Sequence, residues 1–130
     1  MATEESYPED LRYHPEHDWA RIEGDQATFG ITWFAQDSLG DVVFFAPPEV
    51  GATLAKDEPY TEVESVKAVS DVIAPLSGEI LEVNEGAGTN PELINTDPYG
   101  AGWMVKVRLS DTAEVDALMD AAAYKDLIAD

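Results

Sequence analysis

The chain has 130 residues, enough for one domain, and 45% of them are hydrophobic, with nine Gly and eight Pro, a globular composition. It contains no Cys, which excludes a disulfide scaffold, a Cys-ligated zinc site and a Cys nucleophile. Seven Lys and Arg stand against 27 Asp and Glu, a formal charge of −20 at pH 7. Phosphate recognition needs clustered cations, so the charge argues against nucleic acid and anionic membrane surfaces as partners.

The acidic start, Met1-Ala2-Thr3-Glu4-Glu5, lacks the apolar segment of a secretory signal and the Arg content of a transit peptide. No apolar run approaches the ~20 residues that span a bilayer. The expectation is a soluble, cytoplasmic protein. Residues 1–10 read as a frayed acidic terminus and 11–130 as a single domain.

His17 to Ile22 reads as a strand, Glu23-Gly24-Asp25 as a turn, and Gln26 to Ile31 as the partner strand of a hairpin. His14 and His17 are spaced i, i+3, but a strand start does not bring them to one helical face, and two His alone make a weak metal site. No metal is expected. Thr32 is a helix N-cap for a short helix over 33–39, and Gly40 stands at its end. Asp41 to Ala46 is an apolar run between turn residues, read as a buried strand.

Tyr60 to Ile73 carries β-branched residues on both sides of Ser65-Val66-Lys67-Ala68, the pattern of a hairpin with Lys67 at its tip. Lys is a flexible stem ending in a nucleophilic amine, suited to acylation. On composition alone a solvated turn residue is the favoured reading. A two-residue turn would set Glu62 opposite Asp71, an unfavourable like-charge pair.

Pro75 to Gly78 makes a turn, Glu79 to Val83 a strand, and Gly86-Ala87-Gly88 a loop. Asn90-Pro91-Glu92 reads as the opening of a helical turn, with Asn as cap and Pro at its first position. Trp103 to Leu109 is a strand. At the C-terminus, Asp111 and Glu114 have the spacing of a capping box, and Val115, Leu118, Met119 and Ala122 share one face of an amphipathic helix. The fold class is mostly β: a flattened β-barrel/sandwich hybrid with short helices and a C-terminal helix.

Glu64-Ser65-Val66-Lys67-Ala68, with Ser70-Asp71 and Pro75-Leu76-Ser77-Gly78-Glu79, resembles the lipoylation segment of the glycine cleavage system H-protein family. Further blocks agree in order and spacing: Tyr13 to Trp19, Gly30 to Val43, Pro47 to Gly51, and Leu93 to Met104. The resemblance runs from about residue 11 to 128. Ordinary lipoyl domains carry Asp-Lys-Ala and biotin carriers Met-Lys-Met; Val66-Lys67-Ala68 behind Glu64-Ser65 is the H-protein form.

The resemblance implies the lipoyl-domain type of fold and lipoate in amide linkage to Lys67. It implies Glu64, Ser65, Val66 and Ala68 as recognition residues for the lipoate-attaching enzyme. It implies a carrier without catalysis of its own, which shuttles an aminomethyl group. The partners would be a PLP-dependent glycine decarboxylase (P protein), a tetrahydrofolate-dependent aminomethyltransferase (T protein) and dihydrolipoyl dehydrogenase (L protein). An H-like protein that relays lipoyl groups to other enzymes is the alternative. Asp18 and Asp71 correspond to the family's groove carboxylates for the loaded arm. Asp18 replaces the family's usual Glu, one methylene shorter, which leaves direct and water-bridged contact both open. A monomer in isolation is expected.

The acidic excess carries a prediction of its own. Like charges oppose the compact state in dilute buffer, and salt at about 1 M shortens the Debye length to about 3 Å. The balance resembles that of proteins from salt-loving organisms, and an ordinary acidic domain is the other reading. The melting temperature is expected to rise between low and molar KCl, followed by circular dichroism; a salt-insensitive melt removes the halophilic reading.

Overall fold

A computed structural model describes residues 4–129. In chain order the elements are strand β1 (Arg12–His14), β2 (Asp18–Glu23), β3 (Gln26–Ile31), helix α1 (Trp33–Leu39), β4 (Val42–Phe45), β5 (Thr53–Leu54), β6 (Pro59–Ser65), β7 (Val69–Ile73) and β8 (Gly78–Val83). Helices α2 (Glu85–Thr89) and α3 (Leu93–Thr96), strand β9 (Val105–Leu109), a 3-10 helix over Thr112–Ala117 and helix α4 (Ala121–Ile128) complete the chain.

Alternation explains the larger sheet. In β9, Val105, Val107 and Leu109 are buried, while Lys106 and Arg108 point outward toward Glu82 and Glu79 of β8. The strand order is β1-β2-β3-β9-β8-β5, antiparallel at each pairing. A second sheet has the order β4-β6-β7. The architecture is mostly β, as expected, with two sheets, short helices and a C-terminal helix; the sheets are not joined into a closed barrel.

Ala20, Phe29, Leu76, Ile80 and Val107 fill one core, and Ile31, Phe45, Val63, Val72 and Met104 a second. Each large side chain so buried contributes roughly 1.5–3 kcal/mol of transfer free energy. A third cluster packs Leu11, Tyr13 and Trp19 against Ala121 and Tyr124 of α4. Gly30 lies opposite Trp19, and a Cβ there would fall 2.6 Å from the indole. The bare backbone lets the indole lie flat and its Nε1–H donate to the Pro98 carbonyl at 3.0 Å.

Helix α1 starts as the sequence predicts: the Thr32 hydroxyl accepts from Ala35 N. Gly40 closes it at φ 79° and ψ −160°, a region open essentially to Gly alone, and donates to the Gln36 carbonyl at 3.0 Å. Asn95 of α3 then binds the Gly40 carbonyl and accepts from Val42 N, which locks α1 to β4.

Several local expectations are corrected. The C-terminal helix is not continuous from Asp111. Met119 exchanges both backbone hydrogen bonds with Tyr13, each 2.8 Å, which forces extended backbone there. Asp120 then caps a new helix through Ala123 N, and Ala121 and Tyr124 are buried while Ala122 is exposed. The capping box fails because Glu114 is spent elsewhere, accepting from Ser77 N at 2.8 Å and Ser77 Oγ at 3.0 Å.

Gly86-Ala87-Gly88 is helical, within α2, because Asn84 caps Ala87 N and Gly88 packs closely on Pro47. Asn90 serves the next helix through its carbonyl rather than its side chain. In β4 a bulge between Val42 and Phe44 leaves Val43 and Phe44 exposed, where burial was expected.

Within the expected frayed terminus, residues 4–10 have no strand or helix, but they are tethered. The Ser6 carbonyl accepts from Tyr99 Oη, the Pro8 carbonyl accepts from Tyr13 Oη, and Tyr7 sits edge-on to Tyr124 at 5.6 Å. Residues 1–3 of that expectation lie outside the described residues.

Replacing Gly40 by Ala is expected to destabilise the protein by about 1–3 kcal/mol, the usual cost of forcing a side chain into such backbone. Urea unfolding checks this, as a lower midpoint at unchanged slope.

Candidate functional site

Strands β6 and β7 pair with Glu62 opposite Asp71 and Glu64 opposite Val69, which leaves Ser65 to Ala68 as the turn. This is the register that sets two carboxylates side by side. Both are exposed, where water and salt reduce the repulsion.

Ser65 orders the tip. Its backbone N–H donates to the Ala68 carbonyl at 2.7 Å, and its hydroxyl accepts from Ala68 N at 3.1 Å and Lys67 N at 3.3 Å. The side chain is only 5% exposed. A neighbouring strand supports the turn as well, since Val66 N donates to the Asp41 carbonyl at 3.1 Å. Val66 is 70% exposed, and Lys67, Ala68 and Glu64 are exposed. The Lys67 stem passes the end of α1: its Cε lies 3.6 Å from where a Gly40 Cβ would stand. Among the described residues the Lys67 amine has no ion-pair partner.

Beside this hairpin is a pocket of about 170 Å³, lined by His17, Asp18, Phe34, Ser38, Ser70 and Asp71, among others. The two predicted groove acids therefore meet at one pocket, in different environments. Asp71 is exposed on the edge strand β7. Asp18 opens β2 and is 1% exposed, and its Oδ2 has no hydrogen-bond partner. Burial, and then the negative Glu16, push its carboxyl well above the usual carboxylate range. Asp18 is thus a buried acid, where composition alone suggested surface charge.

His17 was not expected here. Its backbone takes φ 76°, its carbonyl accepts from Thr32 N at 3.1 Å, and its ring lies 4.7 Å from Phe34. Its Nδ1 is 2.8 Å from Tyr124 Oη, which is also 2.8 Å from Thr32 Oγ1. Burial lowers the imidazole's affinity for a proton. His14 turns elsewhere: its Nε2 is 2.7 Å from Asp57 and its Nδ1 accepts from Glu16 N. The two His do not converge, and among the described residues no three His, Cys, Asp or Glu side chains are grouped to hold a metal ion.

The site is thus an exposed lysine on a buttressed hairpin tip, next to a small pocket with a buried acid. The family model described as glycine cleavage H-protein matches residues 11–130. The chain belongs to this family. A glycine cleavage system H protein from Halorhodospira halophila is 54% identical over 124 residues, covering 95% of each chain. One from Symbiobacterium thermophilum is 57% identical over 117 residues, covering 90% of this chain and 91% of its own. The crystal structure of a glycine cleavage system H protein from Mycobacterium marinum superposes with a TM-score of 0.84 at 45% identity, covering 92% of this chain and 96% of that one. Among the described residues no helix is long and apolar enough to cross a membrane.

The Asp18 environment predicts a pH effect with a definite sign. A carboxyl whose folded-state affinity for a proton exceeds its unfolded-state affinity stabilises the protein fully only at low pH. That contribution is lost as pH rises from about 4 through the folded-state value. Asn at this position has no such proton to lose. Asp18→Asn is therefore expected to gain stability relative to the unchanged protein as pH goes from 4 to 8, read as a widening difference in urea midpoint. A constant difference across that range contradicts the buried-acid assignment.

Proposed function

We propose that this chain is a lipoyl carrier of the glycine cleavage system, with lipoate attached through an amide to Lys67 Nζ, and that it catalyses no reaction by itself. The observation that carries the reading is the exposed, unpaired Lys67 amine on a turn held by Ser65 and Asp41, beside the pocket that Asp18 and Asp71 share. Family membership supports it.

The residues present fit the group. The amine is accessible to an attaching enzyme, and the only buried carboxyl oxygen without a hydrogen-bond partner among the described residues borders the neighbouring pocket. When bound, lipoate supplies a dithiolane at the end of a long arm, able to carry an aminomethyl group and two electrons. The chain's own part is display and protection. Ser65 fixes the direction in which Lys67 leaves the sheet. Glu64, Val66 and Ala68 are the exposed neighbours for the lipoate-attaching enzyme to read. Ser65 contributes through the shape of the turn, because its hydroxyl is turned inward. Asp18 and Asp71 are the acids that meet the amine cargo, and Phe34 and His17 wall the pocket from water.

The servicing enzymes are glycine decarboxylase, the tetrahydrofolate-dependent aminomethyltransferase and dihydrolipoyl dehydrogenase. The absence of Cys suits a dithiol carrier, since no thiolate of the chain competes by exchange. A salt-rich cytoplasm suits its charge of −20.

Incubation with lipoate, ATP and a lipoate-attaching enzyme is expected to add one lipoyl group, placed on Lys67 by tandem mass spectrometry. Lys67→Arg is expected to remain unmodified and to fail in glycine decarboxylation, with an unchanged circular dichroism spectrum, because the side chain projects from the sheet. Modification at Lys56, Lys106 or Lys125 in place of Lys67 overturns the proposal.

A further inference from the structure

The pocket beside Lys67 has no cation of its own. Its lining includes no Lys or Arg. The groups that face Asp18 come from every element around it, and none supplies a positive charge. Glu16, in the loop before β2, is acidic and adds to the penalty on a second negative charge. His14, opposite Asp18 in the β1 register, uses its Nε2 on Asp57 and accepts from Glu16 N at its Nδ1, which leaves no second ring proton to make it a cation. His17 is disfavoured as a cation by burial. Tyr60 of β6 and Tyr124 of α4 both interact electrostatically with Asp18 and are held protonated by burial. Asp71 of β7 is a second acid, and α1 and β3 offer Ser38 and Ile31 to the pocket. A carboxylate at this place, with one oxygen unpartnered, would be an uncompensated buried charge, which the low-dielectric interior strongly disfavours.

We propose that Asp18 is a proton switch: it lines the empty pocket as a neutral carboxyl and becomes a carboxylate when a primary ammonium enters, releasing one proton to solvent. The proposal rests on the reading that an arm anchored at Lys67 brings such an amine to this pocket. No bond other than the O–H is broken. The carboxyl loses its proton, the ammonium keeps its three, and a charge-assisted hydrogen bond joins the two. The incoming cation supplies what the pocket lacks, so proton and ammonium compete for the same oxygen. When the amine is removed, the carboxyl recovers a proton from water, and Asp18 no longer presents a buried charge to the arm. Occupancy by the amine therefore weakens as pH falls, with a dependence approaching one proton per site.

The test uses the full chain, 13C-labelled at the Asp carboxyls, with the Asp18 signal assigned from Asp18→Asn. In arm-free protein, Asp18 is expected to titrate well above the ordinary value of about 3.9. The lipoylated protein is then reduced and both thiols of the arm are alkylated with 2-bromoethylamine, which leaves stable primary ammonium groups on the arm. A second sample receives 2-bromoethanol, which leaves a neutral hydroxyl of similar size. The chain has no Cys, so thiol-selective conditions modify the arm alone. The Asp18 midpoint is expected to fall by at least about one unit, a tenfold change in proton affinity, with the ammonium arm relative to the hydroxyl arm. An ordinary midpoint in arm-free protein overturns the proposal, as does an equal midpoint with the two arms. If no lipoyl group can be installed at Lys67, the carrier reading fails separately, and the arm-free titration still judges Asp18.

Discussion

The Ser65 hydroxyl accepts two backbone N–H groups across the β6–β7 turn, and the rest of the site depends on that cap. A hairpin tip is normally among the most mobile parts of a sheet, since few contacts oppose its opening. Here Ser65 closes the turn from inside, and the Asp41 carbonyl holds Val66 N from the adjacent strand. Each bond is worth about 0.5–1.5 kcal/mol net, small beside the stability of a domain but large for a four-residue segment. The consequence is a lysine whose backbone is fixed while its amine is free. On the proposed function, an attaching enzyme meets a presented feature and is spared the entropy of ordering a loop.

The second constraint is electrostatic. A chain with 27 acids and seven bases has negative charge almost everywhere, so one more surface carboxylate carries little information. What distinguishes Asp18 is burial without a partner. Glu62 and Asp71 show the opposite solution, a like-charge cross-strand pair left in water, where ions screen it. Among the described residues the acids thus divide into those that salt relieves and one, Asp18, that is buried from it. Of the acids that line the pocket, the buried one responds most to a charge that enters, since a buried charge is screened far less than an exposed one.

Much of this was legible in the sequence where the determinants are local. Thr32 and Gly40 bound α1 as read, because capping and positive φ are properties of single residues. The β2–β3 and β6–β7 hairpins follow from alternation and turn placement. The C-terminal segment failed for a non-local reason: Met119 pairs with Tyr13 and Glu114 with Ser77, and no pattern within residues 111–122 announces either partner. The short strands β1 and β5 were unread because three and two residues carry no period. At the site, Lys67 was visible from its turn and its neighbours. The pairing of Asp18 with Asp71 in one pocket came only from family resemblance, and the burial of Asp18 was not visible at all.

His17 marks where local reading stops and the fold begins to act on the site. Its position in the pocket wall is set by Tyr124, 107 residues later, through a hydroxyl shared with Thr32. That one hydroxyl joins α4, the cap of α1 and the loop before β2. Tyr124 is itself fixed by stacking on Tyr13 at 4.8 Å, and Tyr13 by its backbone exchange with Met119. The break in the C-terminal helix is therefore functional in consequence: an uninterrupted helix from Asp111 would not give Met119 the extended backbone that pairs with Tyr13. The same interruption that defeats the amphipathic pattern brings α4 against β1 and delivers the Tyr124 hydroxyl to His17, which stands in the pocket wall beside Asp18.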